Sequence, residues 1–328
     1  AAGPWTDQIG RLAGVEIPIA YSKGSLLITN SRLVDHVINR LRPPSDGDII
    51  VPGDSVTITG TTSIRVRHLD QLKVASGEVD LLVERASRMM PALDTVRFIR
   101  VYAGVRPLVL QRGADGEDRG ISRTFVVMEH EADGLGNLVS IAGGKLTTYR
   151  LMAEKTADVV VRRLGSSAPC RTAEVPLDAY PPPEPVHGEQ GPRGGEASTP
   201  RIAGARIERL RRAPPDGVVL CECEMVARAH LDRIIEDLQR GGAPVDLTAL
   251  RLRSRLGMGS CQGGLCGFRT LGHLVQRGAV RGNGLELLIR FLEKRWGGIR
   301  PVLWGDQLRQ EQLLEGLYCG TLNIDGDL

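Results

Sequence analysis

A Gly-Gly-Lys turn inside the stretch Ile141–Arg150, which reads IAGGKLTTYR, constrains the fold more than any other feature. The sequence before this stretch has the pattern of strands and tight turns, whereas apolar residues after it recur every three to four positions. This change of period predicts that a strand ends at Gly143 and Gly144 and that a helix follows Lys145. Glycines let a ligand approach the backbone closely, and the free N–H groups of a first helical turn favour negative charge. The turn is therefore a candidate cofactor or anion site, with an ordinary tight turn and a solvated lysine as the alternative.

The rest of the first half predicts a mixture of strands and helices. The helix after the turn is expected to pack through the apolar residues Leu146, Tyr149, Ala153, Ala157, Val160 and Leu164. Two further helices are expected to begin near Ser31 and Ser76, and Lys23-Gly24-Ser25 is expected to turn between two strands. The predicted strands are 15–21, 26–29, 49–51, 55–59, 96–102, 123–128 and 138–142. Because strands and helices do not alternate regularly, the expected fold class is α+β with an antiparallel-rich sheet.

Composition limits the domain organisation and the classes of partner. A chain of 328 residues predicts about two domains, and a formal net charge of +3 argues against a nucleic-acid partner. No apolar run approaches the length of a membrane span. From residue 165 the sequence becomes rich in Pro, Gly and charge and loses its apolar periodicity. We therefore predict four parts: a first domain at 1–164, a linker at 165–203, a helical domain at 204–282, and a C-terminal helix with a docking tail at 283–328.

Four cysteines carry the clearest chemical signal. Cys221 and Cys223 are separated by one residue, Cys261 and Cys266 by four, and the chain between the two pairs has helical periodicity. Both pairs lie at turns that lead into helices, where N–H groups and helix dipoles stabilise negative charge. This arrangement favours an anionic [2Fe–2S] cluster, for which four cysteine ligands are usual. Zinc fits less well, because zinc knuckles usually space their paired cysteines by two residues; disulfides and structural buried thiols are the remaining interpretations.

Five blocks of the first domain, taken together with the cysteine pairs, resemble one enzyme family. These blocks are Lys23-Gly24-Ser25-Leu26-Leu27, Val51-Pro52-Gly53-Asp54, Gly60-Thr61-Thr62-Ser63, Tyr102-Ala103-Gly104-Val105-Arg106-Pro107-Leu108 and Gly143-Gly144-Lys145-Leu146-Thr147-Thr148-Tyr149. They are similar to blocks of the A-subunit family of anaerobic glycerol-3-phosphate dehydrogenases, flavoproteins of the D-amino-acid-oxidase-like superfamily. The cysteine region resembles the bacterioferritin-associated-ferredoxin type of [2Fe–2S] domain that is fused to this subunit. The resemblance runs from Ala1 to the C-terminus.

The resemblance implies that residues 1–164 comprise the substrate domain and the C-terminal part of an FAD-binding domain. That family begins with a strand, a Gly-x-Gly-x-x-Gly turn and a helix, which hold the FAD pyrophosphate. Neither Gly134-Leu135-Gly136 nor Gly113-Ala114-Asp115-Gly116 has that spacing and context. We therefore expect the chain to correspond to the C-terminal two thirds of the subunit. These 328 residues alone are expected to bind FAD weakly and to be inactive.

For the intact protein, the resemblance implies oxidation of sn-glycerol 3-phosphate to dihydroxyacetone phosphate, with hydride transfer from C2 to FAD. Arg106 and Arg123 match positions that look like substrate contacts in the family, and Lys145 is assigned to the catalytic group with them. A phosphate dianion calls for more than one cation. The segment implied to meet the flavin ring comprises Gly143, Gly144, Lys145, Leu146 and Thr147, and the turn implied to lie near the nucleotide part of FAD comprises Ala2 and Gly3. The proton acceptor has no assignment, because related aerobic enzymes carry His where this chain has Leu26.

The resemblance also implies an electron outlet. The [2Fe–2S] cluster would pass electrons one at a time towards partner subunits, including a membrane-anchoring iron–sulfur subunit, and through them to menaquinone. The protein is then expected in the cytoplasm, peripheral to the inner face of the cell membrane. Two other functions stay open: an opine or amino-acid dehydrogenase subunit of the same superfamily, and a non-enzymatic electron-transfer module.

Overall fold

The computed structural model describes residues 2–43, 45–53, 55–110, 124–175, 217–280 and 282–323. The strands in these ranges are β1 (Ile19–Thr29), β2 (Ile38–Asn39), β3 (Ile49–Pro52), β4 (Thr57–Gly60), β5 (Ile64–Val66), β6 (Phe98–Val109), β7 (Phe125–Glu129), β8 (Val139–Gly143), β9 (Val219–Cys221) and β10 (Val226–Ala227). The helices are α1 (Thr6–Leu12), α2 (Ser76–Ser87), α3 (Tyr149–Arg163), α4 (Arg228–Arg240), α5 (Leu247–Ser254), α6 (Cys266–Gln276), α7 (Gly284–Ile299) and α8 (Gly305–Leu322). Single 3₁₀ turns lie at Gly3–Trp5, Pro91–Asp94, Leu146–Thr148 and Arg300–Val302. All of these strands pair antiparallel, which confirms the predicted α+β class.

The first unit is built on the long antiparallel pair of β1 and β6. Strands β4 and β5 pair with the other edge of β1, and β3 and β2 extend the sheet beyond β4. The turn predicted at residues 23–25 is wrong, because these residues continue β1 and pair with residues 103–105 of β6. Gly24 is needed for a close approach instead, since a Cβ at this position would overlap the guanidinium group of Arg106.

The helix predicted to begin near Ser31 is also wrong. Two threonines hold this segment in another conformation: Thr57 Oγ1 accepts a hydrogen bond from the N–H of Leu33 (2.7 Å), and Thr29 Oγ1 donates to the carbonyl of Ser31 (2.6 Å). Residues 38–39 pair with β3 as β2. The helix-like spacing of apolar residues arises because part of this irregular segment packs on the core, where Val34 is buried.

Helix α2 covers the sheet and confirms the helix predicted near Ser76. Its Leu82 packs with Leu27 of β1, Ile50 of β3 and Phe98 of β6 in one buried cluster. A polar cluster is buried beside this core, where Lys23 Nζ lies 2.6 Å from Glu78 Oε1. The ion pair ties α2 to β1, because Lys23 lies on β1 and Glu78 on α2.

Helix α3 forms where the sequence predicts it, but it packs through a different face. Leu146, Tyr149 and Leu164 of the predicted face are exposed, whereas Val159 is buried. The packed face also carries Met152, whose sulfur lies against Gly144. A second set of residues with helical spacing, which includes Met152 and Val159, lies one position before the predicted set. This second set is the one that packs on β7 and β8. None of the described helices is both long enough and apolar enough to cross a membrane.

The second unit combines the short β9–β10 hairpin with helices α4 to α8 around one core. Buried residues in this core include Leu231, Ile235, Leu250, Leu274, Leu288, Phe291 and Trp296. Residues from both predicted parts, 204–282 and 283–328, therefore share a core. The boundaries between the four predicted parts stay predictions, and residues 176–216, which include most of the predicted linker, lie outside the described residues.

The apolar tail predicted to dock does so on the first unit of this chain. Val302 is fully buried in the core under the sheet, and the ring of Trp304 lies 6.4 Å from that of Phe98. Gln307 Nε2 also donates to the carbonyl of Phe98 at 3.0 Å. The cysteine-bearing unit is thereby joined to the end of β6.

Candidate functional site

The fold brings the four predicted metal ligands together. Cys221 ends β9, Cys223 lies in the turn that follows, Cys261 lies in the loop between α5 and α6, and Cys266 begins α6. The thiols form two hydrogen-bonded pairs, Cys221 with Cys266 and Cys223 with Cys261. The two pairs also interact electrostatically with each other, and all the described cysteines are free thiols. These four cysteines therefore form no disulfide in the structure.

A hydrogen bond from the partner thiol, together with hydrogen bonds from backbone N–H groups, lowers the pKa of one thiol in each pair. The pKa of Cys223 falls to about 5 because the Cys261 thiol donates to it, and that of Cys221 falls to about 7 because the Cys266 thiol donates to it. The pKa of each donor is raised in turn. Backbone N–H groups also lower the pKa of these thiols. For example, the N–H of Gly257, in the loop 255–265 between α5 and α6 (the cysteine loop), donates to Cys221. The thiolate is the form that binds metals, so a lowered thiol pKa favours metal binding.

The donor set fits a four-cysteine iron–sulfur centre. In the part of the chain that the structure describes, no three or more His, Cys, Asp or Glu side chains converge as a ligand group for one metal ion. Two contacting pairs suit two irons with two thiolates each, and Cys₄ ligation is usual for [2Fe–2S] clusters. Which group binds there stays a prediction.

Four arginines that are close to the cysteines in the sequence, Arg251, Arg253, Arg255 and Arg269, make different contacts. Arg255 Nε pairs with the buried carboxylate of Glu224 (2.9 Å), and Arg269 pairs with Glu222. Arg253 donates to a carbonyl of its own helix. Arg251 reaches the loop side chain Gln262, with Nη2 at 3.5 Å from Oε1.

Arg106, the first of the predicted substrate-binding arginines, lies where three of the sequence blocks meet. It extends from β6 opposite Ser22 of β1. Its Nη2 donates to Thr61 Oγ1 (2.6 Å) and its Nη1 to the carbonyl of Thr62 (3.2 Å). The close passage over Gly24 also restricts the guanidinium, and the role of Arg106 as an anion contact stays a prediction.

Arg123, the second predicted arginine, lies outside the described residues. Its role as a substrate contact stays a prediction. The described chain resumes at Thr124, directly before β7, and β7 pairs with β8, which leads into the Gly-Gly-Lys turn.

The turn at Gly143 and Gly144 ends β8 as predicted. Both glycines have φ of +78°, a conformation that glycine adopts without strain. Lys145 is exposed, and its N–H is held by Thr148 Oγ1 at 3.0 Å. The N–H groups of Leu146 and Thr147 open the 3₁₀ turn and therefore precede any helical acceptor. The turn thus offers N–H groups and one solvent-facing ammonium, and its contact with a flavin stays a prediction.

The predicted nucleotide-side residues, Ala2 and Gly3, lie at a turn close to β6. Ala2 precedes the 3₁₀ turn that Gly3 begins with φ of +57°. This turn contacts β6, and the following helix α1 contacts β8. The N-terminal segment and the strand that ends at Gly143 are thus neighbours.

The sequence of this chain is similar to one protein family and to several curated dehydrogenase subunits. Residues 1–150 match the family described as FAD dependent oxidoreductase (DAO). The A subunit of anaerobic glycerol-3-phosphate dehydrogenase from Escherichia coli (strain K12) is 38% identical over 342 residues, which cover 99% of this chain and 60% of that protein. The chain is a homologue of these A subunits. The resemblance inferred from the sequence blocks is thus confirmed.

An archaeal relative and one solved structure agree with this relationship. The A1 subunit of the anaerobic glycerol-3-phosphate dehydrogenase of Haloferax volcanii is 39% identical over 337 residues, covering 100% of this chain and 56% of that protein. The chain therefore spans less than two thirds of the length of these curated A subunits. The structure of glycerol-3-phosphate dehydrogenase from Bacillus halodurans complexed with FAD covers 93% of this chain and 63% of its own, with a TM-score of 0.52 and 21% identity. At that identity it supports the DAO-type fold alone.

Proposed function

We propose that the protein containing this chain oxidises sn-glycerol 3-phosphate to dihydroxyacetone phosphate as the A subunit of a dehydrogenase complex. The observation that carries this proposal is the 38% identity, along 99% of the chain, to the A subunit of the Escherichia coli enzyme. FAD, when bound, supplies the hydride acceptor. The residues of this chain bind and orient the substrate and the flavin.

Arg106 is proposed to anchor the phosphate of the substrate. Its guanidinium is already fixed by Thr61 and Thr62, so little side-chain entropy is lost when an anion binds. Arg123 is proposed as the second cation, because a dianion is best held by more than one charged donor. Lys145 adds an exposed ammonium at the neighbouring turn, which lies against β6 through the packing of Gly143 on Val109.

The Gly-Gly-Lys turn is proposed to face the flavin ring. N–H groups of Leu146 and Thr147, with the Lys145 ammonium, would stabilise negative charge on the reduced ring. Ala2 and Gly3 are proposed to lie near the nucleotide part of FAD. This assignment is supported by the proximity of their turn to β6 and of α1 to β8.

Cys221, Cys223, Cys261 and Cys266 are proposed to bind a [2Fe–2S] cluster. Such a centre takes up one electron at a time, so it would divide the two electrons of the substrate into single steps. We propose that electrons leave towards partner subunits, including a membrane-anchoring iron–sulfur subunit, and then to menaquinone. This route would place the protein in the cytoplasm at the inner face of the cell membrane.

Iron analysis tests the cluster. The chain is purified without oxygen, and iron and acid-labile sulfide are measured together with the visible spectrum. We expect two irons and two sulfides per chain, lost in Cys221→Ser and Cys266→Ser and kept in the control Cys170→Ser, whose thiol is exposed and outside the site. Zinc, or no metal, in the unaltered chain would overturn the electron outlet.

Steady-state kinetics of the intact enzyme test the substrate. Replacing Arg106 and Arg123 separately by Met is expected to raise KM for glycerol 3-phosphate in both variants, since each loses a charged contact to phosphate. An amino-acid or opine substrate would need only one arginine for its carboxylate. Loss confined to one variant, together with turnover of such a substrate, would replace our proposal by that activity.

A further inference from the structure

Arg100 crosses from the sheet of the first unit to the cysteine unit. It lies on β6, opposite Ile28 of β1. Its Nη2 donates to the carbonyl of Lys294 on α7 at 2.9 Å, and its Nη1 donates to Gln262 Oε1 at 3.3 Å. A Cβ at position 298 of α7 would lie 2.5 Å from Cζ of Arg100, so the guanidinium passes over α7 only because residue 298 is glycine.

Gln262, the residue that receives Arg100, holds the cysteine loop in shape. It follows Cys261 directly, has only 2% of its surface exposed, and adopts the left-handed conformation with φ of +51°. Its Nε2 donates to the carbonyls of Met258 (3.1 Å) and Gly259 (3.0 Å). Because its Oε1 accepts from Arg100 and Arg251, the two arginines fix the amide that closes this loop.

The charges around Gln262 are unbalanced among the described side chains. Arg295, a third arginine of this cluster, is buried and paired with Glu311 (2.7 Å). Neither Arg100 nor Arg251 forms an ion pair with a carboxylate in the described part of the chain. Burial, with repulsion from the other two arginines, lowers the pKa of Arg100 to about 10. Holding these cations together is unfavourable unless an anionic centre lies beside them, and the four cysteines provide its ligands.

We propose that Arg100 is a positioning residue of the cysteine centre, which holds Gln262 from the first unit and, with Arg251, raises the reduction potential of the centre. The inference rests on the [2Fe–2S] cluster proposed above. Reduction adds one negative charge to such a cluster, and a nearby half-buried cation stabilises the reduced form more than the oxidised form. Arg100 would thereby also link the sheet that carries Arg106 to the site where electrons leave.

The test is a redox titration of the anaerobically purified chain, followed by the EPR signal of the reduced cluster. We compare Arg100→Met, Arg100→Lys and Gly298→Ala with the unaltered chain. Arg290→Met is the matched control, because it removes the same charge from an exposed position of α7, the helix that Arg100 contacts. Iron and sulfide are measured in every sample, so that each potential refers to an assembled cluster.

We expect Arg100→Met to make reduction about tenfold less favourable, which is about 59 mV for a one-electron couple. Arg100→Lys keeps the charge and should shift the potential less. Gly298→Ala changes no charge but displaces the guanidinium, so it should shift the potential in the same direction as Arg100→Met. Arg290→Met should leave it unchanged.

Iron content separates failure of the cluster proposal from failure of the role given to Arg100. An unaltered chain without iron and sulfide overturns both. A normal cluster whose potential in Arg100→Met and Gly298→Ala equals that of Arg290→Met overturns the role of Arg100 alone. If Arg100→Met fails to assemble the cluster, Arg100→Lys and Gly298→Ala decide: potentials below that of the unaltered chain in both support the inference, and unchanged potentials overturn it.

Discussion

At the scale of single residues, Gly24 has no side chain because the guanidinium of Arg106 occupies the space that a side chain would fill. A Cβ at Gly24 would overlap the guanidinium of Arg106, whereas a Cβ at Gly104, its direct partner in β6, meets nothing within 4 Å. We expect Gly24→Ala to raise KM for glycerol 3-phosphate by about 10- to 100-fold in the intact enzyme, since hydrogen bonds to charged groups contribute about 1.5–3 kcal/mol. Steady-state kinetics with Gly104→Ala as control check this. Equal KM values in the two variants contradict the role given to Arg106.

The buried ion pair of Lys23 and Glu78 makes stability depend on pH. Burial alone would raise the pKa of Glu78, but hydrogen bonds from Lys23 and Ser25 lower it below the ordinary value of 4.5. A carboxylate with a lowered pKa stabilises the fold above the ordinary pKa, and this contribution is lost as the pH falls through the folded-state pKa. The pair therefore contributes fully at neutral pH and little in strong acid.

Glu78→Gln tests this pair, because it leaves the ammonium of Lys23 buried without a counter-charge. We expect the free energy of unfolding to fall by about 3–5 kcal/mol at neutral pH. Glu84→Gln removes an exposed carboxylate of the same helix and should cost about 0–1 kcal/mol. Urea unfolding in a pH series measures both. The difference between Glu78→Gln and the unaltered chain should shrink as the pH falls below 4.5, and a constant difference would count against an ionised Glu78.

At the scale of elements, helix α5 carries Arg251 towards the cysteine loop and depends on its N-cap. Asp246 Oδ1 accepts a hydrogen bond from the N–H of Ala249 at 2.7 Å. We expect Asp246→Ala to lower the free energy of unfolding of the cysteine unit by about 1 kcal/mol, and Asp246→Ser, which keeps an acceptor, to lower it by less. Denaturant unfolding measures both. If the two variants lost equal stability, the cap would not be the cause.

The same elements show which features are predictable from sequence. Helices α2 and α7 and the β3–β4 hairpin have local signals, such as the cap of α7, where Asn283 Oδ1 accepts from the N–H of Leu285 (3.0 Å). These signals depend on residues that are close in sequence, so they can be recognised without knowledge of the fold. The face of α3 was mispredicted because two helical stripes compete and only tertiary packing selects one. The four cysteines lie in two contacting pairs, and their role as metal ligands stays a prediction. Arg100 was missed, since its partner Gln262 is distant in sequence.

At the scale of the whole molecule, several side-chain contacts join the first unit to the second. Ser55 Oγ of the sheet unit donates to the buried Glu224 beside Cys223 at 3.0 Å. Arg100 reaches the cysteine loop, and Val302 enters the core under the sheet. Each contact joins the sheet that is proposed to bind substrate to the proposed electron outlet. A fixed separation between the two sites is what electron transfer between them requires.

Val302 provides the test of this coupling, because its side chain is fully buried in the first unit while the helices on either side of it belong to the second. Val302→Asp would bury an unpaired charge and should cost more than about 3 kcal/mol. We expect the tail to leave the sheet, so that calorimetry shows two separated transitions, the first lowered by about 6–12 °C. Leu313→Asp, at a residue that is 68% exposed on α8, is the control and should keep the profile of the unaltered chain. An unshifted profile for Val302→Asp would mean that the two units hold together without this contact, and that Arg100 and Ser55 carry the coupling.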